Sequence, residues 1–244
     1  MKIAIVGAAG RMGRKLCELA EGTSLEVVSK IDVAPGFDRE PAADVEGIID
    51  FSFHAAVPAM AAVAASRGVP YVIGTTGLSP DELKAVDAAA EKIPVVHSGN
   101  YSLGVNMLLE LVKKAASILP AGYDIEVVEM HHRHKKDAPS GTALMLAKSA
   151  AEGRGVDFDA NVRYGRQGET GERTDGEIAI HALRGGSVVG DHTVMFAGEL
   201  ERVELVHRAQ DRAAFAAGAL KALEWAAGKA PGKYTMRDVL GFSA

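Results

Sequence analysis

A run of cationic and imidazole side chains is the part of this sequence best suited to chemistry. In chain order, its members are His131, His132, Arg133, His134, Lys135 and Lys136. The whole chain has a formal net charge of −5, so this positive cluster is local, and it repels itself unless an anion or an acid offsets its charge. The run is followed by Pro139, Ser140, Gly141 and Thr142, a sequence typical of a helix start. Because a helix N-terminus also attracts anions, these residues indicate a carboxylate site.

Three other interpretations of this run compete with a carboxylate site. A metal site is disfavoured because Arg133, Lys135 and Lys136 would repel a dication, and we expect no bound metal. A nucleic-acid surface would need interleaved aromatic residues and a broader basic face, and the sequence has neither. A solvated charged loop stays open as an interpretation, and only the helix start at Ser140 weighs against it.

A turn containing three glycines follows the first predicted strand directly and opens a helix. It consists of Gly7, Ala8, Ala9, Gly10, Arg11, Met12 and Gly13. Dinucleotide-binding turns need glycine where the chain bends tightly, approaches the pyrophosphate and packs on the sheet. The spacing here is GxxGxxG, since Ala9 stands where the second glycine of GxGxxG normally lies. We expect this turn to bind a dinucleotide, with an ordinary strand–helix turn as the alternative.

Asp32 ends the second predicted strand, where an acid can accept hydrogen bonds from the adenosine ribose. The next residue is Val33 rather than arginine, so no obvious guanidinium is expected beside a 2′-phosphate. Lys30, Arg11 and Arg14 could still reach such a phosphate. The cofactor is therefore expected to be NADH or NADPH, with a mild preference for NADH.

Two further predicted strands end in glycines and small polar residues. Gly74, Thr75 and Thr76 follow one of them, and Ser98, Gly99, Asn100 and Tyr101 follow the other. Ligands of open α/β sheets lie beyond the carboxyl ends of the strands, so we expect both segments to contact the cofactor. From local sequence alone, plain loop chemistry would explain the same residues.

The order of predicted elements indicates two domains. Short apolar runs alternate with alanine-rich helical stretches at first, which predicts βαβ units and a parallel sheet. The pattern then changes to two helices at 105–119 and 142–151 and strands at 124–130, 177–184, 187–197 and 201–207, with residues 161–177 predicted to be a mobile loop. The expected fold class is α/β: a Rossmann-like parallel-sheet domain at residues 1–102 and 213–244, and an inserted α+β domain with a mixed or antiparallel sheet at residues 103–212.

Composition narrows the class of protein. Hydrophobic residues make up 48% and charged residues 24% of 244, as in ordinary globular proteins. The single cysteine, Cys17, cannot form an intrachain disulfide, which fits a reducing compartment, and we expect a cytoplasmic protein. No apolar run approaches the roughly 18 residues of a membrane span, and the acidic balance argues against a nucleic-acid partner.

Residues 129–143 closely resemble the signature of the 4-hydroxy-tetrahydrodipicolinate reductase family, which reads E-x-H-H-x-x-K-x-D-A-P-S-G-T-A. Further matches lie at residues 7–14, 74–77, 100–106, 190–194 and 215–219. The resemblance implies a two-domain enzyme, assembled as a homotetramer through the sheet of its second domain. It also implies reduction of 4-hydroxy-tetrahydrodipicolinate, a small cyclic dicarboxylate, to tetrahydrodipicolinate in lysine and diaminopimelate biosynthesis.

Site roles follow from the resemblance by motif position. His131 matches the family's proton donor and acceptor, and Lys135 matches its proton donor. His132, Gly141 and Thr142 match contacts to the substrate carboxylates. Ser140, the expected cap of the helix, is expected to join these contacts. The turn at residues 7–12, Asp32, Gly74–Thr76 and Ser98–Tyr101 match cofactor contacts.

Two other functions are consistent with parts of the sequence. Another Rossmann reductase of amino-acid metabolism, such as an aspartate or homoserine dehydrogenase, would share the cofactor end but has no reason to carry residues 131–142. A non-catalytic module that senses NAD(H) would keep the fold and would need no proton donor beside an anion site.

Overall fold

The computed structural model describes residues 1–242, which form two compact units. The first unit comprises Met1–Leu103 and the C-terminal segment that begins at Arg212, and the second comprises Gly104–Asp211. In chain order, the elements are β1 (Lys2–Val6), α1 (Arg11–Ala20), β2 (Glu26–Ile31), β3 (Gly47–Asp50), α2 (Val57–Arg67), β4 (Tyr71–Ile73), α3 (Pro80–Ala90), β5 (Pro94–His97), α4 (Leu103–Ile118), β6 (Asp124–His131), α5 (Gly141–Arg154), α6 (Phe158–Asn161), β7 (Val162–Tyr164), β8 (Ile178–Arg184), β9 (Gly190–Ala197), β10 (Arg202–Ala209), α7 (Ala213–Ala226), β11 (Gly232–Tyr234) and α8 (Met236–Val239).

The first unit is built on a six-stranded parallel sheet with strand order β11-β5-β4-β3-β1-β2. Strand β1 is buried on both faces, because Ile3 and Ile5 pack toward α1 and α7 whereas Ala4 and Val6 pack toward α2 and α3. Strand order reverses at β1, between β3 and β2. Open α/β sheets bind ligands beyond the carboxyl ends of strands at such a reversal. The Rossmann-like parallel sheet expected from the sequence is confirmed.

The second unit contains a five-stranded mixed sheet with strand order β10-β9-β6-β8-β7. Strands β6, β7 and β8 are parallel, whereas β9 is antiparallel to both β6 and β10. One face of β6, with Ile125 and Val127, packs on α4 and α5. This mixed sheet confirms the expected α+β class of the inserted part.

The segment at residues 161–177 differs from the mobile loop that its polar composition predicted. Val162–Tyr164 form strand β7, which pairs with β8, and Asn161 ends helix α6. Arg166 and Arg173 then bind Glu126 on β6, with Arg166 Nη2 2.8 Å from Glu126 Oε1. These long-range ion pairs, which the local sequence does not reveal, fix the segment on the sheet.

The C-terminal part contains two elements that the sequence interpretation missed. After α7, the chain adds β11 to the edge of the first sheet beside β5 and then forms α8, which is capped by Thr235. Both elements are shorter than five residues, so they carry too little periodicity to be recognised. Within residues 1–242, none of the helices has the length and apolar character that crossing a bilayer requires.

Candidate functional site

The turn after β1 requires glycine at two positions for steric reasons. Gly7 has a φ of +81°, and a Cβ there would lie 2.3 Å from the main-chain oxygen of Phe51. A Cβ on Gly13 would lie 2.2 Å from the main-chain oxygen of Gly7. Helix α1 begins after Gly10, which provides no side-chain cap, so the first backbone N–H groups of the helix can point at an anion. This geometry fits the pyrophosphate of a dinucleotide.

Asp32 lies directly beside this turn. Its Oδ2 accepts a hydrogen bond of 3.0 Å from the N–H of Ala9, and its Oδ1 accepts one from Ala34. Nη1 of Arg39 donates to the main-chain oxygen of Asp32 at 2.7 Å. The sequence interpretation did not name Arg39, whose guanidinium the structure places beside Asp32. The local sequence does not reveal this contact, because it depends on how the loop after β2 folds. Hydrogen bonds between Asp38 and Lys30 close this loop and bring Arg39, seven residues further along the chain, beside Asp32.

Two adjoining cavities lie over the carboxyl ends of the strands in the first unit. One, of about 580 Å³, is lined among others by Gly7, Asp32 and Arg39. The other, of about 470 Å³, is lined by Arg11, Met12, Phe53, His54, Gly74, Thr75 and Thr76, with other residues. Gly10, Phe51, Ser52 and Phe53 line both cavities. Because they share these residues, the two cavities form one cleft, which brings together most of the cofactor residues expected from the sequence.

The threonine end of this cleft is organised by the buried carboxylate of Asp50. Its Oδ1 accepts hydrogen bonds from the hydroxyls of Ser52, at 2.6 Å, and Thr75, at 2.9 Å. Its Oδ2 accepts one from the hydroxyl of Tyr71 at 2.7 Å. Burial and the nearby charge of Asp50 raise the pKa of Tyr71 well above its usual value, so the phenol stays a donor. The sequence interpretation did not name Asp50. Asp50 is the last residue of β3, much as Asp32 directly follows β2.

The segment from Ser98 to Tyr101 lies beyond β5 and lines neither of the two cavities. Ser98 Oγ donates to the main-chain oxygen of Asn100, and Asn100 Oδ1 accepts from the N–H of Ser102. The Tyr101 side chain is buried in the core, where its hydroxyl contacts the main-chain oxygens of Ile73 and Val96. In the first unit, the side chains of Ser98, Asn100 and Tyr101 therefore hydrogen-bond to the nearby main chain.

The second unit places His131 in a buried cluster at the end of β6. Nδ1 of His131 lies 2.6 Å from Oε2 of Glu129, and both side chains are largely shielded from solvent. Arg184, at the end of the parallel strand β8, donates one hydrogen bond of 2.8 Å to each oxygen of the same carboxylate. Burial alone would raise the pKa of Glu129, but the bonds from His131 and Arg184 outweigh it and hold the pKa at about 2.

Ser140 connects this cluster to helix α5. Its hydroxyl accepts a hydrogen bond from the N–H of Ala143, as an N-cap does, and contacts Nε2 of His192 at 3.1 Å. Its own N–H donates to Oε1 of Glu129 at 3.0 Å. Gly141 follows as the first residue of the helix, and a Cβ there would meet nothing within 4 Å. The helix start therefore offers open space beside the histidine cluster.

The turn between β6 and α5 carries the remaining cations. Nζ of Lys135 forms an ion pair of 2.8 Å with Asp137, which is largely exposed, and this pair lowers the pKa of the Asp137 carboxyl. The N–H of His132 donates to the main-chain oxygen of Val188, and the N–H of Lys135 donates to that of His132. Lys136 is exposed. The second unit thus brings His131, Lys135 and the start of α5 into one turn.

The sequence interpretation gave no role to three residues of this cluster, namely Glu129, Arg184 and His192. Glu129 could have been found, because residues two apart on a strand share a face. Arg184 and His192 come from strands β8 and β9 and meet the motif only through the sheet. Within residues 1–242, no group of three or more His, Cys, Asp or Glu side chains is placed to hold a metal ion.

Comparison with protein families matches nearly all of the chain, in two parts. Residues 1–101 match the family model for the N-terminus of dihydrodipicolinate reductase, and residues 104–240 match the model for its C-terminus. A 4-hydroxy-tetrahydrodipicolinate reductase of Caulobacter vibrioides is 52% identical over 99% of this chain and 98% of its own. One from Rhodopseudomonas palustris is 47% identical over 100% and 98%, respectively.

Solved structures show the same fold at lower identity. The dipicolinate-bound dihydrodipicolinate reductase from Paenisporosarcina sp. TG-14 aligns with a TM-score of 0.76 at 23% identity, covering 96% of this chain and 97% of its own. An amine dehydrogenase from Mycobacterium smegmatis aligns with a TM-score of 0.63 at 9% identity, covering 97% and 95%. The fold is thus shared with enzymes that carry different names, and fold alone does not select among activities.

Proposed function

The chain belongs to the dihydrodipicolinate reductase family, and from this premise we propose how its own residues catalyse the reaction. It is a nicotinamide-dependent oxidoreductase of lysine biosynthesis that reduces 4-hydroxy-tetrahydrodipicolinate to tetrahydrodipicolinate with loss of one water molecule. The balance requires one hydride and one proton for each water lost. The observation that carries the assignment of roles is the contact between His131 and Glu129 beside the start of α5.

His131 is the proton donor in this proposal. The charged carboxylate of Glu129 can only accept hydrogen bonds, so Nδ1 of His131 is the donor in their contact. Nε2 is then the nitrogen available to the substrate. Imidazole suits the transfer of a proton near neutral pH, when electron density develops on the ring of the reduced substrate.

Lys135 provides a positive charge and a second donor at the same turn. Its ammonium forms an ion pair with Asp137, whose side chain is 62% exposed to solvent. A substrate carboxylate can replace such an exposed partner at little cost, since exposed ion pairs contribute only about 0–1 kcal/mol. Lys135 would then donate to the substrate or stabilise its developing charge.

The substrate carboxylates are proposed to bind at His132 and at the start of α5. Ser140 caps this helix, and Gly141 and Thr142 form its first turn. Backbone N–H groups and the positive end of the helix dipole favour a carboxylate there. The dipicolinate bound to the Paenisporosarcina enzyme is a planar analogue of the same 2,6-dicarboxylate, which supports this choice of ligand class.

The cleft of the first unit fits the cofactor. A reduced nicotinamide dinucleotide supplies the hydride when it is bound. The turn at Gly7, Ala8, Ala9, Gly10, Arg11 and Met12 would hold the pyrophosphate, with Gly74, Thr75 and Thr76 toward the nicotinamide. The cofactor is also proposed to contact the main chain of four further residues, namely Ser98, Gly99, Asn100 and Tyr101.

The preference between the two cofactors is proposed to rest on Asp32 and Arg39. The Asp32 carboxylate can accept hydrogen bonds from ribose hydroxyls and repels a 2′-phosphate, which favours NADH. The Arg39 guanidinium lines the same cavity and can bind a 2′-phosphate, which permits NADPH. We therefore propose use of both cofactors, with a mild preference for NADH.

Assembly and location are proposals from the family resemblance. A homotetramer would form through the second sheet, whose edge strand β10 leaves Val206 exposed. Multi-angle light scattering on the full chain tests this assembly, and a monomer at micromolar concentration would contradict it. The cytoplasm is the proposed compartment, in keeping with the single Cys17.

The experiment that tests the function is the decay of NADH absorbance with enzymatically generated 4-hydroxy-tetrahydrodipicolinate. We expect turnover, with competitive inhibition by pyridine-2,6-dicarboxylate against the substrate. Turnover of aspartate semialdehyde, with no activity on the cyclic dicarboxylate, would contradict the proposal and favour the other class of Rossmann reductase. NADH binding without turnover of either compound would favour a sensing module.

A further inference from the structure

Glu129 is a fully buried carboxylate that is saturated with donors. It accepts hydrogen bonds from Nδ1 of His131, the N–H of Ser140, and Nη1 and Nη2 of Arg184, at distances of 2.6–3.0 Å. A buried charge persists only when partners compensate the loss of water, and four donors do so here. Because all four contacting groups donate, the carboxylate is required in its ionised form.

We infer that Glu129 is a positioning residue that fixes His131 with Nε2 toward the substrate and holds the transferable proton on that nitrogen. This inference rests on the proposed role of His131 as the acid. It goes further by assigning the orientation and the charge of the ring to a second residue, which itself does not touch the substrate.

The orientation follows from what surrounds the two ring nitrogens. Nδ1 is bound to Glu129, so rotation of the ring would break a charge-assisted bond of 2.6 Å. Nε2 lies beside Gly190 of strand β9, where a Cβ would be only 2.9 Å away. The absence of a side chain at Gly190 therefore leaves room for Nε2 in this orientation.

The charge follows from the groups around His131. Glu129 on its own strand binds the ring, Arg184 on β8 pairs opposite His131 in the sheet, and His192 on β9 packs against the ring. Beyond them, His207 on β10 lies opposite His192, and Lys135 and Asp137 form an ion pair on the turn. Arg184 and Lys135 are the permanent cations of this group. Of the two acids named here, Glu129 is buried against the ring whereas Asp137 is largely exposed and paired with Lys135. Removal of the Glu129 charge would leave Arg184 and the His131 ring without their buried counter-charge.

A second histidine in the cluster shows what happens without such a partner. His192 packs edge-on against His131, with ring centroids 5.2 Å apart, and contacts the neutral hydroxyl of Ser140. Burial, reinforced by the charge of His131, lowers the pKa of His192 to about 4. His192 is thus a neutral ring at neutral pH, and the contact with Glu129 distinguishes His131 from it.

Arg184 holds the carboxylate in place. Besides its two bonds to Glu129, it donates to the main-chain oxygens of Leu183 and Asp137, each at 2.6 Å. It thereby ties the carboxylate to the end of β8 and to the turn that carries Lys135. A glutamine at position 129 cannot reproduce this arrangement, because its NH₂ group would face a donor in either rotamer.

The test is the pH dependence of kcat in Glu129→Gln, measured beside ¹⁵N resonances of the His131 ring. We expect kcat to fall at least about tenfold and the limb that requires a protonated acid to move about one pH unit lower. Glu129→Asp should restore part of both values. An unchanged pH profile, or a shift to higher pH, would overturn the inference.

Glu126→Gln is the matched control. Glu126 lies on the same strand and also binds a histidine, His181, at 2.7 Å together with Arg166 and Arg173. The Glu126→Gln substitution breaks a second Glu–His–Arg cluster, and this cluster has no role in the proposed mechanism. Glu126→Gln should leave the pH profile of kcat unchanged, and a similar shift in both variants would overturn a specific role for Glu129.

Two further measurements separate this inference from the proposed function and from misfolding. In the unmodified enzyme, the ¹⁵N spectrum should show Nδ1 of His131 protonated at neutral pH, and an unprotonated Nδ1 would overturn the inference without any variant. Full activity of His131→Gln would remove the proposed acid itself. A third outcome would overturn only the positioning role of Glu129. In that outcome, His131→Gln has lost activity, but the pH profile of kcat in Glu129→Gln is the same as in the unmodified enzyme.

Discussion

Nη1 of Arg39 donates a hydrogen bond of 2.7 Å to the main-chain oxygen of Asp32, whose side chain accepts one from Ala9 in the dinucleotide turn. A carboxylate and a guanidinium therefore meet in the same cavity of the first unit. The carboxylate suits free ribose hydroxyls and the guanidinium suits a 2′-phosphate. In the proposed account, the preference between NADH and NADPH is the balance between these two side chains.

Arg39→Ala should lower kcat/KM for NADPH about 10- to 100-fold, because it removes a charge-assisted contact to the 2′-phosphate. The value for NADH should change less than about threefold. Steady-state kinetics with both cofactors checks this. Arg67→Ala is the control, since Arg67 binds the main-chain oxygens of Pro41 and Ala42 in the same loop but is directed at no phosphate in this account. Equal losses with both cofactors in Arg39→Ala would contradict the assignment.

In the first unit, the sequence predicted the strands well where local pattern decides structure. Strands β4 and β5 end where predicted, directly before Gly74 and Ser98, because each is a short, mainly apolar run closed by glycine or serine. Arg39 was missed because its position depends on how the loop after β2 folds, and no short periodicity records that. Glu129 lay within the recognised motif, yet its partner Arg184 is 55 residues away and reaches it only across the sheet. Contacts of this kind arise from strand register rather than from local sequence.

Gly13→Ala should destabilise the first unit and abolish cofactor binding. The added Cβ would lie 2.2 Å from the Gly7 carbonyl oxygen, so helix α1 must move away from the dinucleotide turn. We expect a fall in the unfolding temperature of several degrees and a loss of NADH binding by calorimetry. Gly141→Ala, at the first position of α5, has open space and should leave the unfolding temperature unchanged within about a degree. Equal unfolding temperatures for the two variants would contradict the steric argument.

Lys135→Ala should lower kcat on the order of 100-fold or more, because it removes the cation proposed to donate to the reacting ring. The affinity for NADH, measured by fluorescence titration, should stay within about threefold. The neighbouring and exposed Lys136 provides the control, and Lys136→Ala should keep kcat within a few-fold of the unmodified enzyme. Comparable kcat losses in both variants would indicate a general field effect instead of a specific role for Lys135.

Acid should destabilise the second unit through Glu126. Burial opposes its ionisation, but bonds from Arg166, His181 and Arg173 lower its pKa from 4.5 to about 2. A carboxyl with a lowered folded-state pKa contributes stability that is complete above about pH 4.5 and is lost as the pH falls toward 2. The contribution at neutral pH is roughly 2–4 kcal/mol.

Urea unfolding of Glu126→Gln across the acidic range checks this prediction. The variant should be less stable at neutral pH, and its stability should fall less steeply than that of the unmodified enzyme between about pH 4.5 and 2. Glu199→Gln, at an exposed position, is the control and should follow the unmodified curve. Parallel curves for Glu126→Gln and the unmodified enzyme would show that Glu126 does not titrate in this window.

The most direct test of the account is kcat of His131→Gln with 4-hydroxy-tetrahydrodipicolinate, at saturating NADH. Glutamine keeps a polar side chain of similar reach but cannot supply the proton. A fall on the order of 100- to 10,000-fold, with NADH affinity preserved, is the predicted result. A kcat within threefold of the unmodified enzyme would contradict the claim that this histidine protonates the substrate.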